Sequence, residues 1–532
     1  MTMTNHNEQN SYSSRANHNP QNKDLDAESI GEEGDVKDGD FRHAILSSSQ
    51  RRFLLVALIA AAFIRIVTLG CYPLTDNTEA RYAEVGREML SSGDWIVPQL
   101  HGVKFWSKPP LSIWLTACSM KLFGVNEFAA RLSALVPALL IVLLTYWLAA
   151  ARYGRDYAMA AILVLVSSVV FFVGSGAVMT DAALCLGTTL SMVAFWQAVC
   201  RYGDKGRVWG YLFFLGLAIG LLAKGPVAVV LTLFPIGLWA LWQKRWKKVW
   251  DRLPWIGGSL LAAALSLPWY LAVEERTPGF LDYFIIGEHW RRFTQPGWAG
   301  DLYGSAHERP RGTIWLFWIL AAFPWSIYAI GSWVKFPLKF RAVFAKLRDM
   351  DEWSAYLILW AFSPMIFFSL ADNILWTYAL PGLPAFALLV SQKLLDAPLS
   401  GTPDPSAGRK ARVFMACGIL TPLVFGLLIT VWFFFPFKNS QKQLVAAYLA
   451  LRSNSDSQLV YIYERPYSAE FYSYGKALKA GSPGECRPFL QTGARNFFAI
   501  EKKRLPNLPE DIAQRLTRVG TYDKFLLLES RN

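Results

Sequence analysis

The sequence predicts an all-α protein that crosses a membrane many times and ends in a small α/β domain. Three observations support this fold class. Of 532 residues, 53% are hydrophobic and only 17% are charged, whereas about a quarter of the residues in soluble proteins are charged. Apolar runs recur along most of the chain, with about the 20 residues that a helix needs to cross a bilayer. Near the C-terminus, short β-like runs (LVYIY, NFFAI, KFLLLE) alternate with polar stretches.

The composition divides the chain into three parts. Residues 1–50 are polar and nearly free of large apolar side chains, so we predict a disordered cytoplasmic tail. Residues 51–436 are predicted to form the membrane domain, and residues 437–532 an α/β domain outside the membrane. The candidate spans are 52–70, 129–150, 157–178, 181–201, 208–223, 226–243, 254–273, 313–335, 353–370, 374–392 and 412–436.

The distribution of Lys and Arg predicts the orientation. Basic loops such as ARYGRD, RYGDKGR and QKRWKKVWDR alternate with connections that are nearly free of basic residues, and basic loops stay on the cytoplasmic side. The N-terminus is therefore predicted to be cytoplasmic, and the outer loops 71–128 and 274–312 face outward with the C-terminal domain. This bias accounts for most of the net charge of +13, so nucleic acid is not predicted as a partner.

The first outer loop carries the acids Asp76, Glu79 and Glu84. Residues 78–91 have helix-forming composition with an apolar face, which predicts a helix lying along the membrane surface. Arg81 on this helix and Lys108 in FWSKPPLSIW are candidates to clamp a phosphate near the interface.

Other ionisable residues fall at predicted outer helix ends or in outer loops, where they are functional candidates because their placement at a membrane boundary costs free energy. Together with the apolar spans below them, they predict a pocket for a lipid phosphate. These residues are Asp181, Lys224, Glu288, His289 and Arg292.

Several motifs then stand in a characteristic order: TEARYAEVGREMLSSGDWIVP, WSKPPLSIW, FGVNEFAARLSAL, MTDAAL, LLAKGP, DYFIIGEHWRRF and TYALPGLP. Over about residues 52–395 the chain resembles the membrane glycosyltransferases that include the 4-amino-4-deoxy-L-arabinose transferase of lipid A and the protein O-mannosyltransferases. The resemblance implies the C-type glycosyltransferase fold, with about 11–13 transmembrane helices and an active site at the periplasmic face of the bacterial inner membrane.

The resemblance also implies the substrates and the roles of residues. The donor would be a sugar on a polyprenyl phosphate such as undecaprenyl phosphate, and the acceptor lipid A or another envelope glycolipid or polysaccharide. Asp76 or Glu79 would be the acidic residue that deprotonates the acceptor or orients it. Arg81, Lys108 and Tyr378 would bind the donor phosphate.

The chain departs from the family pattern at two positions that bear on chemistry. Thr78 stands where the arabinose transferases have the Asp of an Asp-Glu pair, which is why Asp76 enters as an alternative to Glu79. Ser107 stands where they have a metal-ligating Glu, although His307 matches a metal ligand. A divalent metal therefore stays an open alternative, and no cofactor is predicted outright.

Two other functions stay open from the sequence. One is protein O-glycosylation by the same chemistry, and the other is transport of a lipid-linked sugar. A transporter would favour repeated halves and polar residues near the bilayer midplane, and we find no such repeat in the sequence.

Overall fold

The computed structural model describes residues 46–531 except 77, 202–204, 305–306, 334–348, 396–415, 417, 425, 429–438, 453–455 and 493. Most of the predicted N-terminal tail lies outside the described residues. The end of that tail was predicted wrongly, because the first helix, Ser48–Thr68, begins inside it. Ser47 and Gln50 form a capping box there, each side chain accepting from the other's backbone amide, and such a box satisfies amides that a helix start leaves unpaired.

Helices dominate the chain up to residue 395, and a two-stranded hairpin of β1 (Gln99–Leu100) and β2 (Val103–Lys104) interrupts them in the first loop. In chain order the helical segments are Ser48–Thr68, Glu79–Ser92, Leu111–Phe123, Glu127–Tyr153, Arg155–Ser167, Val169–Gly174, Asp181–Trp196, Gln197–Arg201, Gly206–Lys224, Val227–Trp242, Trp246–Arg252, Trp255–Arg276, Asp282–Arg291, Arg292–Thr294, Thr313–Ala321, Trp325–Trp333, Glu352–Phe368, Trp376–Gly382 and Leu383–Leu395.

Among the described residues, five helices are long and apolar enough to cross a membrane, or six if one bent pair counts as a span. That pair, Thr313–Ala321 and Trp325–Ser332, bends by 112° inside the predicted span 313–335. The predicted span 157–178 is likewise broken, at Ser168, which has extended backbone angles. Several other apolar helices are shorter than 18 residues, and the predicted span 412–436 is only partly described. The number of eleven spans stays a prediction.

The helices bury large aromatic side chains between them, and many large apolar side chains remain exposed on the outside of the bundle. Trp239, Trp353 and Tyr356 are almost fully buried in the bundle. By contrast, the helix Trp255–Arg276 exposes large apolar side chains such as Leu260 along its length. Rows of exposed apolar residues are unfavourable in water, so this outer surface is suited to lipid.

The helix predicted in the first loop is present as Glu79–Ser92, called here the first-loop helix, and it ends at Gly93 with a φ of 73°. The structure covers the polar face of this helix, and its predicted position along the membrane surface stays a prediction. Glu84, Arg87 and Glu88 on that face are all buried. The reason is that this helix packs against Leu111–Phe123 on one side and against a C-terminal helix on the other.

The C-terminal part forms the predicted α/β structure. Its helix Lys442–Leu451 precedes a five-stranded sheet of order β4-β3-β5-β7-β6. The strands are β3 (Leu459–Ile462), β4 (Leu478–Ala480), β5 (Phe497–Glu501), β6 (Leu516–Tyr522) and β7 (Phe525–Ser530). Strand β3 pairs in parallel with β4 and β5, while β7 pairs antiparallel with β5 and β6.

A short helix after β3, Tyr467–Tyr472, joins this sheet to the first loop and is called here the linking helix. The Tyr472 hydroxyl donates to Glu127 over 2.9 Å and accepts from the Leu74 amide over 2.8 Å. Lys442 adds an ion pair of 2.5 Å with Glu127. The sheet and the helical part belong to one compact unit, residues 44–532.

Candidate active site

A cavity of about 980 Å³ opens between the two outer loops and the outer ends of the membrane helices. Its size is that of sites for small molecules and cofactors. Most of the residues singled out from the sequence line it together: Arg81, Lys108, Asp181, Lys224, Glu288, His289, Arg292, His307 and Tyr378. Apolar residues of the membrane helices line it too, including Leu184, Val230, Leu231 and Phe367.

Four charged side chains form a chain of ion pairs across the cavity. The Lys108 ammonium lies 2.8 Å from Glu288 Oε2. Arg292 Nη1 lies 3.2 Å from Glu288 Oε1 and 3.0 Å from Asp301 Oδ2. Burial alone would raise the pKa of Glu288, but the charges of Lys108 and Arg292 lower it to about 2. The Glu288 carboxylate is therefore ionised at neutral pH and holds the two cations in place.

Residues close in sequence also help to position the charged side chains of this site. Lys108 follows Ser107 and donates to the Ser107 carbonyl at 2.6 Å and hydroxyl at 2.9 Å. Glu288 and Arg292 are one turn apart on the helical segments Asp282–Arg291 and Arg292–Thr294, so both side chains lie on one face. Tyr283 donates a further hydrogen bond of 3.3 Å to Glu288.

A second ion pair lies at the membrane side of the cavity. Lys224 ends the helix Gly206–Lys224, Asp181 begins Asp181–Trp196, and their charged atoms are 2.7 Å apart. The Lys224 ammonium also lies over the Tyr378 ring, 4.7 Å from its centre. A cation over an aromatic face is favourable, so this pair and Tyr378 hold one another in position.

Arg81 lies where the first loop meets the second. Its Nη1 donates to the Tyr303 carbonyl, and its Nε is buried without a hydrogen-bond partner. A buried guanidinium N–H that is unpaired costs free energy. Arg81 therefore has a donor left over for an anionic ligand.

The two histidines of the cavity differ in their surroundings. Both ring nitrogens of His289 contact backbone carbonyls, those of Phe284 at 2.8 Å and Lys224 at 3.0 Å. Burial lowers the pKa of His307, and the nearby Arg292 lowers it further. Burial also lowers the pKa of His289, although its two carbonyl contacts raise that pKa, so both imidazoles are favoured in their neutral form.

The residues around His307 do not fit a metal ion. Within the described ranges, the one group of three acidic, His or Cys side chains close enough to hold an ion is Glu84, Glu88 and Glu470. His307 does not belong to it, and the charged groups that act on its imidazole are three arginines and a single carboxylate, that of Asp301. Ser107, at the position of the second family ligand, donates no carboxylate. No step below passes through a metal.

Three predicted site residues do not line the cavity. Asp76 Oδ1 and Oδ2 accept from the Ser468 amide and hydroxyl, at 2.8 and 2.5 Å. Glu79 forms a paired contact with Arg131, whose Nε and Nη2 lie 2.8 and 2.9 Å from its oxygens. Each carboxylate is held by a partner and does not line the cavity, so these contacts do not support the predicted role on the acceptor, which stays a prediction.

Glu84 is fully buried beneath the linking helix and pairs with Arg87 at 2.6 and 2.8 Å. Burial, with Glu470 and Glu88 nearby, raises the pKa of Glu84 to about 8 even though Arg87 lowers it. Its place is the contact between the first loop and the C-terminal domain, and its predicted site role does not agree with that place.

The cavity also contains polar residues that the sequence reasoning missed. Thr78, Asp301, Tyr303 and Tyr467 all line it. Asp301 and Tyr303 lie in the second outer loop, and the run GDLYG could have drawn attention to them as polar residues next to GEHWRRF. Tyr467 lies in the C-terminal domain, and nothing local in its sequence points to this cavity.

Several known proteins have sequences similar to that of this chain. A family profile described as dolichyl-phosphate-mannose-protein mannosyltransferase matches residues 49–284. An undecaprenyl phosphate-alpha-4-amino-4-deoxy-L-arabinose arabinosyl transferase of Erwinia tasmaniensis is 30% identical over 390 residues, which are 72% of this chain and 66% of that protein. A protein of the same description from Pseudomonas aeruginosa is 32% identical over 356 residues, 65% of this chain and 60% of the relative. The chain is similar in sequence to these membrane glycosyltransferases.

Solved structures agree on the fold of this glycosyltransferase. ArnT from Cupriavidus metallidurans bound to undecaprenyl phosphate superposes with a TM-score of 0.68 at 18% identity, covering 90% of this chain and 98% of that one. The apo state gives 0.69 at 18% identity. The predicted fold class, the multi-pass membrane architecture and the family resemblance are confirmed. The chain spans 66% and 60% of the length of the two curated relatives.

Proposed function

We propose that this glycosyltransferase moves a sugar from a polyprenyl phosphate to an envelope acceptor, lipid A or another glycolipid or polysaccharide. The observation that carries the proposal is the cavity itself, in which Lys108, Arg292 and Arg81 lie above an apolar wall of membrane helices. A sugar phosphate on a lipid has this same division into an anionic head and an apolar tail.

The donor phosphate would bind to Lys108 and Arg81, with Tyr378 and Lys224 at the membrane side of the same cavity. Arg81 has an unpaired buried N–H, and Lys108 keeps about a sixth of its side chain accessible. A guanidinium and an ammonium are the side chains best suited to phosphate oxygens. The apolar residues that line the cavity beside them would cover the first isoprene units.

Asp301 is the carboxylate that we propose as the general base. Within the described chain, the acids that line the cavity are Asp181, Glu288 and Asp301. Glu288 contacts both Lys108 and Arg292, and its low pKa makes it a weak base. Asp181 forms an ion pair of 2.7 Å with Lys224. The ion pair of Asp301 is with Arg292, which also pairs with Glu288.

The reaction would be a displacement at the anomeric carbon. The acceptor oxygen forms a bond to that carbon while the bond to the phosphate oxygen breaks, and the electron pair leaves with the polyprenyl phosphate. Asp301 would take the acceptor's proton, an effect of about 10²–10⁴-fold. Lys108 and Arg81 would stabilise the negative charge that grows on the departing phosphate, and such preorganised donors often contribute the larger share.

We propose the predicted orientation as well: a bacterial inner membrane protein with a cytoplasmic N-terminus and a periplasmic cavity and sheet. The basic loops support this side assignment. On this arrangement the donor enters from the outer leaflet, where envelope acceptors are available.

A transfer assay tests the function. The purified chain in nanodiscs receives undecaprenyl phosphate-α-4-amino-4-deoxy-L-arabinose labelled in the sugar, and lipid A is added. We expect label in lipid A only when donor, acceptor and protein are all present. Label that stays on the donor with lipid A and with an extract of envelope glycolipids would overturn the proposal.

Protein O-glycosylation is the second candidate, and it is supported by the mannosyltransferase profile over residues 49–284. The same assay separates the two when envelope proteins replace lipid A. Label in protein alone would favour this candidate over a lipid acceptor.

A further inference from the structure

Tyr467 is the one residue from the described C-terminal segments (439–452, 456–492 and 494–531) that lines the cavity. It is the first residue of the linking helix. The other lining residues come from the two outer loops, the membrane helices and the short connections between these helices. Among its described residues, the C-terminal domain therefore reaches the cavity through Tyr467 alone.

Two residues of the first loop hold the Tyr467 side chain. Its ring stacks on the His101 imidazole, with centres 5.3 Å apart and planes at 15°. Arg81 lines the same cavity as Tyr467; burial raises the pKa of the Tyr467 hydroxyl, and the nearby Arg81 guanidinium lowers it. Tyr467 thus lies beside the cation that we assign to the donor phosphate.

The residue after Tyr467 is fixed by Asp76. Both oxygens of this carboxylate accept hydrogen bonds from Ser468, one from the amide and one from the hydroxyl. The Asp76 amide itself donates to the Asn439 carbonyl over 2.8 Å. At the other end of the linking helix, Tyr472 bonds to Glu127 and Leu74. The helix is therefore tied to the first loop at both ends.

From this geometry we propose that Tyr467 contacts the sugar of the lipid-linked donor, and that Asp76 is a positioning residue which acts on Tyr467 through Ser468. The proposal rests on the proposed function. In the donor, the sugar is attached to the phosphate on the side away from the lipid. Arg81 is assigned to the phosphate, and Tyr467 lines the same cavity from the C-terminal domain. A phenol offers a sugar both an apolar ring and a hydroxyl that can donate or accept a hydrogen bond.

A comparison of two lipids tests the contact. Binding of the sugar-bearing donor and of undecaprenyl phosphate, which lacks the sugar, is measured for the wild type, Tyr467→Phe and Tyr467→Ala in nanodiscs. We expect Tyr467→Phe to weaken donor binding by roughly tenfold, the typical effect of one lost hydrogen bond, and to leave the affinity for undecaprenyl phosphate unchanged. Tyr467→Ala should weaken donor binding further. Tyr474→Phe is the matched control, since Tyr474 lies just after the same helix and is 58% exposed.

Equal weakening for both lipids, or no change for either, would overturn the contact with the sugar. Ser468→Ala tests the positioning role: it should weaken donor binding in the wild type and add nothing in the Tyr467→Ala background. An added loss in that background would mean that Ser468 acts independently of Tyr467. These affinities are measured without turnover, so failure of the transfer assay and failure of this contact are separate outcomes.

Discussion

The Lys108 ammonium lies 2.8 Å from the Glu288 carboxylate although 180 residues separate the two in the chain. This pair joins the two outer loops at the cavity. It provides a cation that is held in position yet remains partly accessible.

Replacing Lys108 by Ala should lower kcat/KM for sugar transfer by about 10²–10³-fold, because one preorganised donor to the departing phosphate is lost. Steady-state kinetics with labelled donor measure the effect. Lys121→Ala is the matched control, because Lys121 is exposed at the end of the helix Leu111–Phe123. Equal rates for the Lys108 and Lys121 variants would contradict the role assigned to Lys108.

Replacing Glu288 by Gln should remove a pH-dependent part of the stability. Its folded pKa of about 2 lies below the ordinary value of 4.5, so its contribution is complete above pH 4.5 and is lost as the pH falls toward 2. The full contribution is on the order of 3 kcal/mol. Melting curves from pH 8 to pH 3 should show a constant difference between wild type and variant above pH 5, and a smaller one below pH 4.5.

The exposed Glu275 provides the control for this experiment. Glu275→Gln should melt like the wild type over the whole pH range. A Glu288→Gln difference that stays constant down to pH 3 would show that the carboxylate titrates normally.

Arg131 should be more important to stability than any other single charge near the first loop. Its side chain is fully buried and donates to Glu79 and to the carbonyls of Leu69, Tyr72 and Pro73. Arg131→Met leaves the Glu79 charge unpaired, which costs about 3–5 kcal/mol. Thermal unfolding in detergent measures the loss.

A double variant separates the pair from its surroundings. Glu79→Gln together with Arg131→Met should be less destabilising than the sum of the single changes, because the unpaired charge is gone. Arg52→Met, at an exposed position of the first helix, should change little. Strict additivity of the two changes would contradict a coupled pair.

Asp301 and Thr78 line the same cavity, so a carboxylate removed at position 301 can be replaced by one at position 78. Asp301→Asn should lower kcat by about 10²–10⁴-fold with a smaller change in the donor KM. Adding Thr78→Asp restores a carboxylate at the cavity wall and should recover part of the rate. Kinetics of the single and double variants measure both effects.

Asp76→Asn gives the comparison for this prediction. If Asp76 were the base, the kcat of the Asp76→Asn variant would fall as far as that of Asp301→Asn. If Asp301→Asn turns over at the wild-type rate, the assignment of the base is wrong.

The orientation can be measured with single cysteines in a background where all six native cysteines are replaced by serine. An impermeant maleimide applied to intact spheroplasts should label Tyr474→Cys and leave Lys244→Cys unlabelled until the membrane is opened. Both positions are exposed. The reverse pattern would place the cavity on the cytoplasmic side.

Much of the cavity could be predicted from the sequence because its charged residues stand at the ends of long apolar runs. Lys224 and Asp181 are such residues, and a charge at a helix end near a membrane boundary needs a partner or a role. Lys108 is marked by the prolines and aromatic residues around it. These signals are local, so composition and spacing were sufficient to find them.

The residues that were misplaced depend on contacts between distant parts of the chain. Asp76 looks free in its loop, but its partner Ser468 lies 392 positions later. Glu79 likewise pairs with Arg131 in the next membrane helix. A polar face that is covered by a later domain has the same local pattern as one covered by water, so the sequence alone could not show that this face is covered.

The hydrogen bonds between Asp76 and Ser468 also have a consequence for biosynthesis. With 392 residues between the partners and elongation at about 5–20 residues per second, roughly 20 to 80 seconds separate their emergence from the ribosome. Throughout that interval the linking helix is not available to cover Asp76 and Glu84 of the first loop. The contact between the first loop and the C-terminal domain can therefore form only after residue 468 has been synthesised.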